Sequence, residues 1–279
     1  MGLLELMKVI IISITEGITE WLPISSTGHM ILISELIKPN LSDSFIEMFL
    51  VVIQLGAIFA VPTLYFERIF PVGNKFDLEA RHEVYSLWKK VIVGTLPTLF
   101  IGLLFELCDI DGMLKNNITV AIALIVYGII YIVLPKIISS RKQYVADSRI
   151  GLMDALCIGA FQSLSLVPGT SRSGVTMLGG MILGKSAVAS TEFSFFMAIP
   201  AMLGASVLKI VKFLSSGLAL NTEEWTYLLT GVLVSYCVSI ISIRYLLSFV
   251  KRHGLRFFGI YRIVLGFVVI LFHIVKKCG

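Results

Sequence analysis

Charge is what this sequence has least of. Only 15% of its 279 residues are Asp, Glu, Lys or Arg, against about 25% in an ordinary soluble domain. Apolar residues make up 57% before the 23 glycines are counted and about 65% after, more surface than a water-facing shell can hide. A soluble enzyme, a disordered chain and a nucleic-acid binder are thereby excluded. Cysteine is scarce too: Cys108, Cys157, Cys237 and Cys278 stand far apart with no CxxC pair, so neither a disulfide framework nor a thiolate metal site is expected. The start, Met1-Gly2-Leu3-Leu4-Glu5, lacks the basic n-region and small-residue cleavage site of a signal peptide, so no removal is expected. What remains is a polytopic integral membrane protein, with room for at most about ten passes.

Six apolar runs are long enough to span: 45–66, 91–108, 118–136, 192–214, 225–247 and 257–275. Two further apolar stretches, 4–36 and 150–190, are broken in the middle, the first at Pro23-Ile24-Ser25-Ser26-Thr27-Gly28 and the second at Pro168-Gly169-Thr170-Ser171-Arg172-Ser173-Gly174. Such breaks leave backbone groups unpaired in lipid and survive only when buried in protein or lining a wet cavity. The pattern predicts an all-α polytopic integral membrane protein: six transmembrane helices plus two re-entrant helical hairpins in a single membrane domain, 1–279.

Loop charge sets the direction. Segments 67–90, 136–149 and 251–256 carry twelve basic residues: Arg68, Lys75, Arg81, Lys89, Lys90, Lys136, Arg141, Lys142, Arg149, Lys251, Arg252 and Arg256. The alternate loops hold Asp109, Asp111, Glu223 and Glu224 with one base, Lys115. Basic residues gather on the cytoplasmic side, which also accounts for the net charge of +5 and places both termini outside. Each half of the chain is then a hairpin followed by three spans, and the halves run in opposite directions. Residues 1–140 and 141–279 form an inverted 3+3 repeat, with Pro23-x-Ser25-Ser26-Thr27-Gly28 matching Pro168-x-x-Ser171-Arg172-Ser173-Gly174. Glu47 with Leu55-Gly56-Ala57 likewise matches Glu192 with Leu203-Gly204-Ala205. Repeats of this kind place a site near the bilayer midplane, where the broken helices meet.

The breaks carry the chemistry. Glu16 and Glu20 stand four apart on an apolar helix, so both carboxylates project from one face. They fit a divalent-cation site of hard oxygen ligands, Mg²⁺ or Ca²⁺; a helix end at the outer interface is the plain alternative. Ser25, Ser26, Thr27 and His29 supply hydroxyls and an imidazole for nucleophile and general acid–base work, although a lone His is often just a satisfied core residue. Arg172 has the planar fork that grips a phosphate, and Ser171, Ser173 and Thr176 add neutral donors around it. An Arg paired with Glu16 or Glu20 as structural glue is the alternative. Tyr65, Trp88, Trp225 and Tyr227 lie near span ends as interface anchors do.

Glu16-Gly17-Ile18-Thr19-Glu20-Trp21-Leu22-Pro23-Ile24-Ser25-Ser26-Thr27-Gly28-His29 resembles the first motif of the bacterial undecaprenyl-diphosphate phosphatase (bacitracin resistance) family. Pro168-Gly169-Thr170-Ser171-Arg172-Ser173-Gly174-Val175-Thr176 resembles its second, and the likeness extends over nearly the whole chain. The resemblance implies hydrolysis of undecaprenyl diphosphate to undecaprenyl phosphate and inorganic phosphate, which recycles the cell-wall lipid carrier and confers bacitracin resistance. It also implies divalent-cation dependence, a plasma-membrane location among lipids and a site open to the outer face. On this reading Glu16 and Glu20 hold the cation, Arg172 binds the phosphates, and Ser171, Ser173, Thr176, Ser25 and Thr27 orient phosphate oxygens. Ser26 is the preferred nucleophile with His29 as proton shuttle; attack by His29 or by water stays open. A transporter or flippase of a lipid phosphate is the rival, since inverted repeats with midplane breaks are a transporter design. Oligomeric state, a homo-oligomer included, is not legible.

Overall fold

The computed structural model describes residues 2–71, 78–108, 110, 114, 116–139, 149–217 and 219–278. Among these the elements are helical throughout. The first hairpin is α1 (Leu3–Thr19) and α2 (Ser26–Ile37), followed by α3 (Asp43–Leu64) and a single turn, α4 (Phe66–Ile69). Then come α5 (Leu78–Leu107) and α6 (Asn117–Ser139). The second hairpin is α7 (Leu152–Ser163), a 3₁₀ turn (Leu164–Leu166) and α8 (Arg172–Ile182). The chain finishes with α9 (Ala187–Ser215), α10 (Thr222–His253) and α11 (Arg256–Cys278).

Six of these helices, α3, α5, α6, α9, α10 and α11, are long and apolar enough to cross a membrane, and they cover the six runs picked out by hydropathy. Boundaries differ where charge hides a helix. The segment before 91 reads as a solvated loop, yet α5 begins at Leu78, because that stretch is made of good helix formers. It extends the span as a polar helix, fastened by the indole of Trp88 donating to the Ile69 carbonyl at 2.8 Å. In the first hairpin α1 stops at Thr19, and Glu20 is its C-cap. The loop residues Lys75, Asp77, Asp109, Asp111, Lys115, Arg141 and Lys142 lie outside the described residues.

Ion pairs fix which ends meet. Glu47 at the start of α3 pairs with Lys209 near the end of α9 (2.7 Å), while Arg68 just past α3 pairs with Glu192 near the start of α9 (2.8 Å). The two spans are therefore antiparallel. Lys212 with Glu106 and Lys276 with Glu35 bring the ends of α9, α5, α11 and α2 to the same side. Exposed pairs of this kind contribute little stability, on the order of 0–1 kcal/mol each, so they report register rather than strength.

Each hairpin is closed at its open end. In the first, Lys8 Nζ donates to the Lys38 carbonyl (3.0 Å) and the Asn40 amide donates to Glu5 (2.9 Å). In the second, Lys185 pairs with Asp154 at 2.8 Å. Because α2 leads directly into the start of α3 and α8 into the start of the antiparallel α9, the hairpins open toward opposite ends of the bundle. Their tips pack inward by close backbone approach. On α1, a Cβ at Gly17 would fall 2.9 Å from the Ser235 carbonyl of α10. On α7, a Cβ at Gly159 would fall 1.8 Å from the Gly94 carbonyl of α5. Any larger residue at either position would push the hairpin off its partner. A buried cluster including Trp21, Ile24, Met177, Phe195 and Met202 sits where the two tips meet.

Candidate active site

Both tips use the same local device. Ser25 (φ 72°, ψ 101°) and Ser171 (φ 74°, ψ 111°) lie in the left-handed region. Each is the N-cap of the following helix: Ser25 Oγ accepts from the Gly28 amide and Ser171 Oγ from the Gly174 amide, both at 3.3 Å. A non-glycine residue held there costs about 1–3 kcal/mol and persists only where its surroundings over-determine it. The caps return part of that, about 1 kcal/mol each. The result turns the N-termini of α2 and α8, with their free amides and positive dipole ends, toward a shared space.

That space is a cavity of about 290 Å³. Its polar wall is Glu20, Ser25, Ser26 and Thr27 from the first tip, Ser165, Gly169, Ser171 and Arg172 from the second, and Gln54 and Thr98 from α3 and α5. Leu166, Ala201, Met202 and Ala205 complete it with apolar surface. Across it, Arg172 Nη2 meets Glu20 Oε1 at 2.9 Å, and Ser26 Oγ donates to Glu20 Oε2 at 3.0 Å. The Arg172 fork is fixed further by Nη1 to the Ser194 carbonyl (3.0 Å) and by the face of Trp21, 5.8 Å away. Its Nε has no hydrogen-bond partner among the described residues. The sequence separation between Glu20 and Arg172 is 152 residues, so the fold, not the local chain, brings hydroxyl, carboxylate and guanidinium together.

The remaining predicted residues fall into two groups. Ser25, Thr27 and Ser171 line the cavity. Ser173, Thr176 and His29 do not; they stand behind it. Ser173 Oγ donates to the Leu22 carbonyl and lies 3.3 Å from Ser171 Oγ, lacing the two tips together. Thr176 is fully buried, with Oγ1 near the carbonyls of Arg172 and Ser173 and 2.5 Å from Ser194 Oγ. His29 has both ring nitrogens engaged, Nδ1 with the Ser25 carbonyl (2.8 Å) and Nε2 with the Tyr261 hydroxyl (2.7 Å), and its ring stacks on that of Tyr261.

Glu16 is 1% exposed. Glu20 and Gln54 are its polar neighbours, yet its Oε1 is buried with no hydrogen-bond partner among the described residues. An orphaned carboxylate oxygen beside a second carboxylate and an amide is an all-oxygen donor set, suited to Mg²⁺ or Ca²⁺ rather than a softer metal. No group of three or more His, Cys, Asp or Glu that could hold a metal ion gathers among the described residues.

Three polar residues of this region escape a reading of the two motifs. Gln54 and Thr98 sit in apolar spans and look like isolated polar residues. Thr98 Oγ1 donates to the Gly159 carbonyl (3.1 Å) and accepts from Gln162 (3.2 Å), a polar seam behind the cavity. The third, Arg262, lies in the middle of the last apolar run, where an ionisable residue is itself a warning of function. It is completely buried and reaches both tips, bonding the Pro23 carbonyl (3.3 Å) and the Gly169 carbonyl (2.8 Å).

Residues 9–268 match the model of the family described as bacitracin resistance protein BacA. A protein of Acetivibrio thermocellus named undecaprenyl-diphosphatase is 49% identical over 99% of this chain and 100% of its own length. Undecaprenyl-diphosphatase 1 of Clostridioides difficile is 49% identical over 97% of both chains. An undecaprenyl-diphosphatase of Enterococcus faecalis is 50% identical over 95% of this chain and 96% of its own.

Proposed function

The chain belongs to the bacitracin resistance protein BacA family, and from that premise we propose that it is a membrane phosphatase acting on undecaprenyl diphosphate. It yields undecaprenyl phosphate and inorganic phosphate, recycling the cell-wall lipid carrier and conferring bacitracin resistance. The observation that carries this reading is the Ser26–Glu20–Arg172 chain of contacts in one cavity: a hydroxyl bonded to a carboxylate beside a guanidinium fork. A transporter of lipid phosphate needs the fork but has no use for the activated hydroxyl.

In the mechanism, the terminal phosphate lies against Arg172, the hydroxyls of Ser25, Thr27 and Ser171 and the N-terminal amides of α2 and α8. Ser26 Oγ forms a bond to the terminal phosphorus, and the bond to the bridging oxygen breaks. That oxygen keeps the electron pair and departs with undecaprenyl phosphate. Glu20 Oε2 takes the Ser26 proton, a role worth roughly 10²–10⁴ in rate. Water oxygen then bonds to the phosphoserine phosphorus, the P–Oγ bond breaks, Glu20 returns its proton to Oγ, and inorganic phosphate leaves carrying the water protons. Glu16 and Glu20, with Gln54 beside them, would hold a divalent cation, Mg²⁺ or Ca²⁺, which when bound neutralises diphosphate charge. Ser173, Thr176 and His29 hold the tips in place. Most of the rate comes from positioning and charge stabilisation, as in phosphoryl transfer generally.

The topology belongs to the same proposal. The hairpins are re-entrant: α2 and α8, of 12 and 11 residues, reach only about 16–18 Å at 1.5 Å per residue, short of a hydrocarbon core about 30 Å thick. Residues 1–140 and 141–279 are inverted repeats of one membrane domain, supported by the matching backbone at Ser25 and Ser171 and by hairpins that open to opposite ends. The basic loops lie in the cytoplasm and both termini outside, and the cavity opens to the outer face of the plasma membrane, as the family resemblance implies. Exposed apolar side chains along α5, such as Leu96, Phe100 and Leu103, face lipid.

The test is phosphate release from undecaprenyl diphosphate by purified protein in detergent, with and without chelator, for wild type and Ser26→Ala. Metal-dependent release that the substitution abolishes is expected. Undiminished release by Ser26→Ala would transfer the attack to water, and no release by wild type would favour the transporter.

A further inference from the structure

We propose that Arg262 is a positioning residue that sets the geometry of the catalytic cavity by holding both hairpin tips at once. It projects from α11, which belongs to neither hairpin. Its Nη1 donates to the Pro23 carbonyl at 3.3 Å, and its Nη2 to the Gly169 carbonyl at 2.8 Å and the Ala123 carbonyl at 3.5 Å. Pro23 precedes Ser25 by two residues, and Gly169 precedes Ser171 by two. The two nitrogens of one guanidinium therefore grip, on each tip, the carbonyl two residues before the N-cap serine.

The strained serines lie immediately downstream of those carbonyls. A positive φ at a non-glycine residue persists only when the surroundings impose it. Arg262 is a contact that imposes it on both tips together. From there the constraint passes to the catalytic groups, since Ser26 follows Ser25 and Arg172 follows Ser171. The adjacent residue, Tyr261, adds a second hold on the first tip through His29, which in turn bonds the Ser25 carbonyl.

The environment of Arg262 fits a clamp better than an ion pair. Its side chain is fully buried, and no carboxylate pairs with it among the described residues. Carbonyls and the ring faces of Tyr127 and Tyr131, 5.8 and 5.3 Å away, replace water around the charge. A buried cation without a carboxylate is costly, and an apolar residue of similar length would fill the space more cheaply. What an apolar residue lacks is the fork. Lysine lacks it too, having one nitrogen where arginine presents two in a fixed plane. Arg262 does not line the cavity, so it acts through the tips and not on the phosphate itself.

This inference rests on the phosphatase reading, and its test separates the two. Arg262→Lys and Arg262→Met are purified in detergent beside wild type. Melting temperature is measured with kcat and KM for phosphate release from undecaprenyl diphosphate. The clamp predicts folded variants whose kcat falls about 100-fold in both, with KM changed less than about threefold, because positioning is lost while the cavity's own ligands remain. Lysine rescuing kcat to within about threefold of wild type would overturn it, since charge alone would then suffice. A loss confined to KM would also overturn it. So would failure of both variants to fold, which would make Arg262 a structural residue. Absence of phosphate release by wild type would instead bring down the phosphatase reading, and the clamp with it.

Discussion

In the first hairpin the serine of positive φ is followed by Ser26 and preceded, at five and nine residues, by Glu20 and Glu16. In the second Ser171 is followed by Arg172, and residues 162–170 before it hold no carboxylate. The backbones match, with φ of 72° and 74° and identical cap lengths of 3.3 Å, but the chemistry does not. One tip carries Ser26 and both carboxylates; the other carries the Arg172 guanidinium. Matching backbones carry opposite charges, and the Glu20–Arg172 contact joins the two tips. The comparison teaches that the cavity belongs to the junction, and it can be broken from either side.

The largest effect is expected at Glu20. Glu20→Gln removes both the base for the Ser26 proton and the anionic partner of Arg172, so phosphate release should fall by roughly 10³-fold or more. The melting temperature measured alongside should change little, because the amide keeps the volume and one hydrogen bond.

Arg172→Lys comes next. The ammonium keeps the charge but cannot meet Glu20, the Ser194 carbonyl and a phosphate together, so a loss on the order of 10²-fold is expected, close to that of Arg172→Ala. If Arg172 were only a structural tie to Glu20, lysine would restore activity. Kinetics beside a thermal melt decide between them.

Glu16→Gln keeps the volume of a buried side chain and removes its charge. Release should drop about tenfold or more, and the dependence on added Mg²⁺ or Ca²⁺ should flatten, as loss of one of two carboxylate ligands requires. Titrating the metal against rate for the variant checks it. An unchanged metal curve would remove Glu16 from the cation site.

The smallest effects concern the frame. Ser171→Ala loses a cap and keeps the strained φ, for a cost of about 1 kcal/mol, while Ser171→Gly relieves the strain and costs a few tenths. Ser25→Ala and Ser25→Gly should give the same order and spacing in thermal melts. Different behaviour of the two serines would mean that the frames are not equivalent.

Much of this was legible because charge in an apolar run is conspicuous. Glu20, Arg172 and the two Pro-containing breaks stand out for that reason, and their meeting follows from the cost of burying each alone. The six spans follow from run length. Residues 78–90 read as loop because hydropathy cannot tell a polar helix from a solvated turn, though α5 begins there. His29 and Thr176 were grouped with the cavity by proximity in sequence. The side of α2 or α8 from which each projects depends on the N-cap φ, which no serine announces. Arg262 was visible as a charge but not as a clamp, because its partners are carbonyls, and every residue has one.

The central claim is that the two hairpins make one catalytic site, and a double-mutant cycle across them tests it most directly. Phosphate-release rates are measured for wild type, Glu20→Gln, Arg172→Lys and the double variant. Residues that act as a unit are strongly non-additive, so the double variant should lose about as much as the worse single variant, roughly 10³-fold. Losses that multiply, to about 10⁵-fold, would mean that Glu20 and Arg172 work independently, and the shared site would be contradicted.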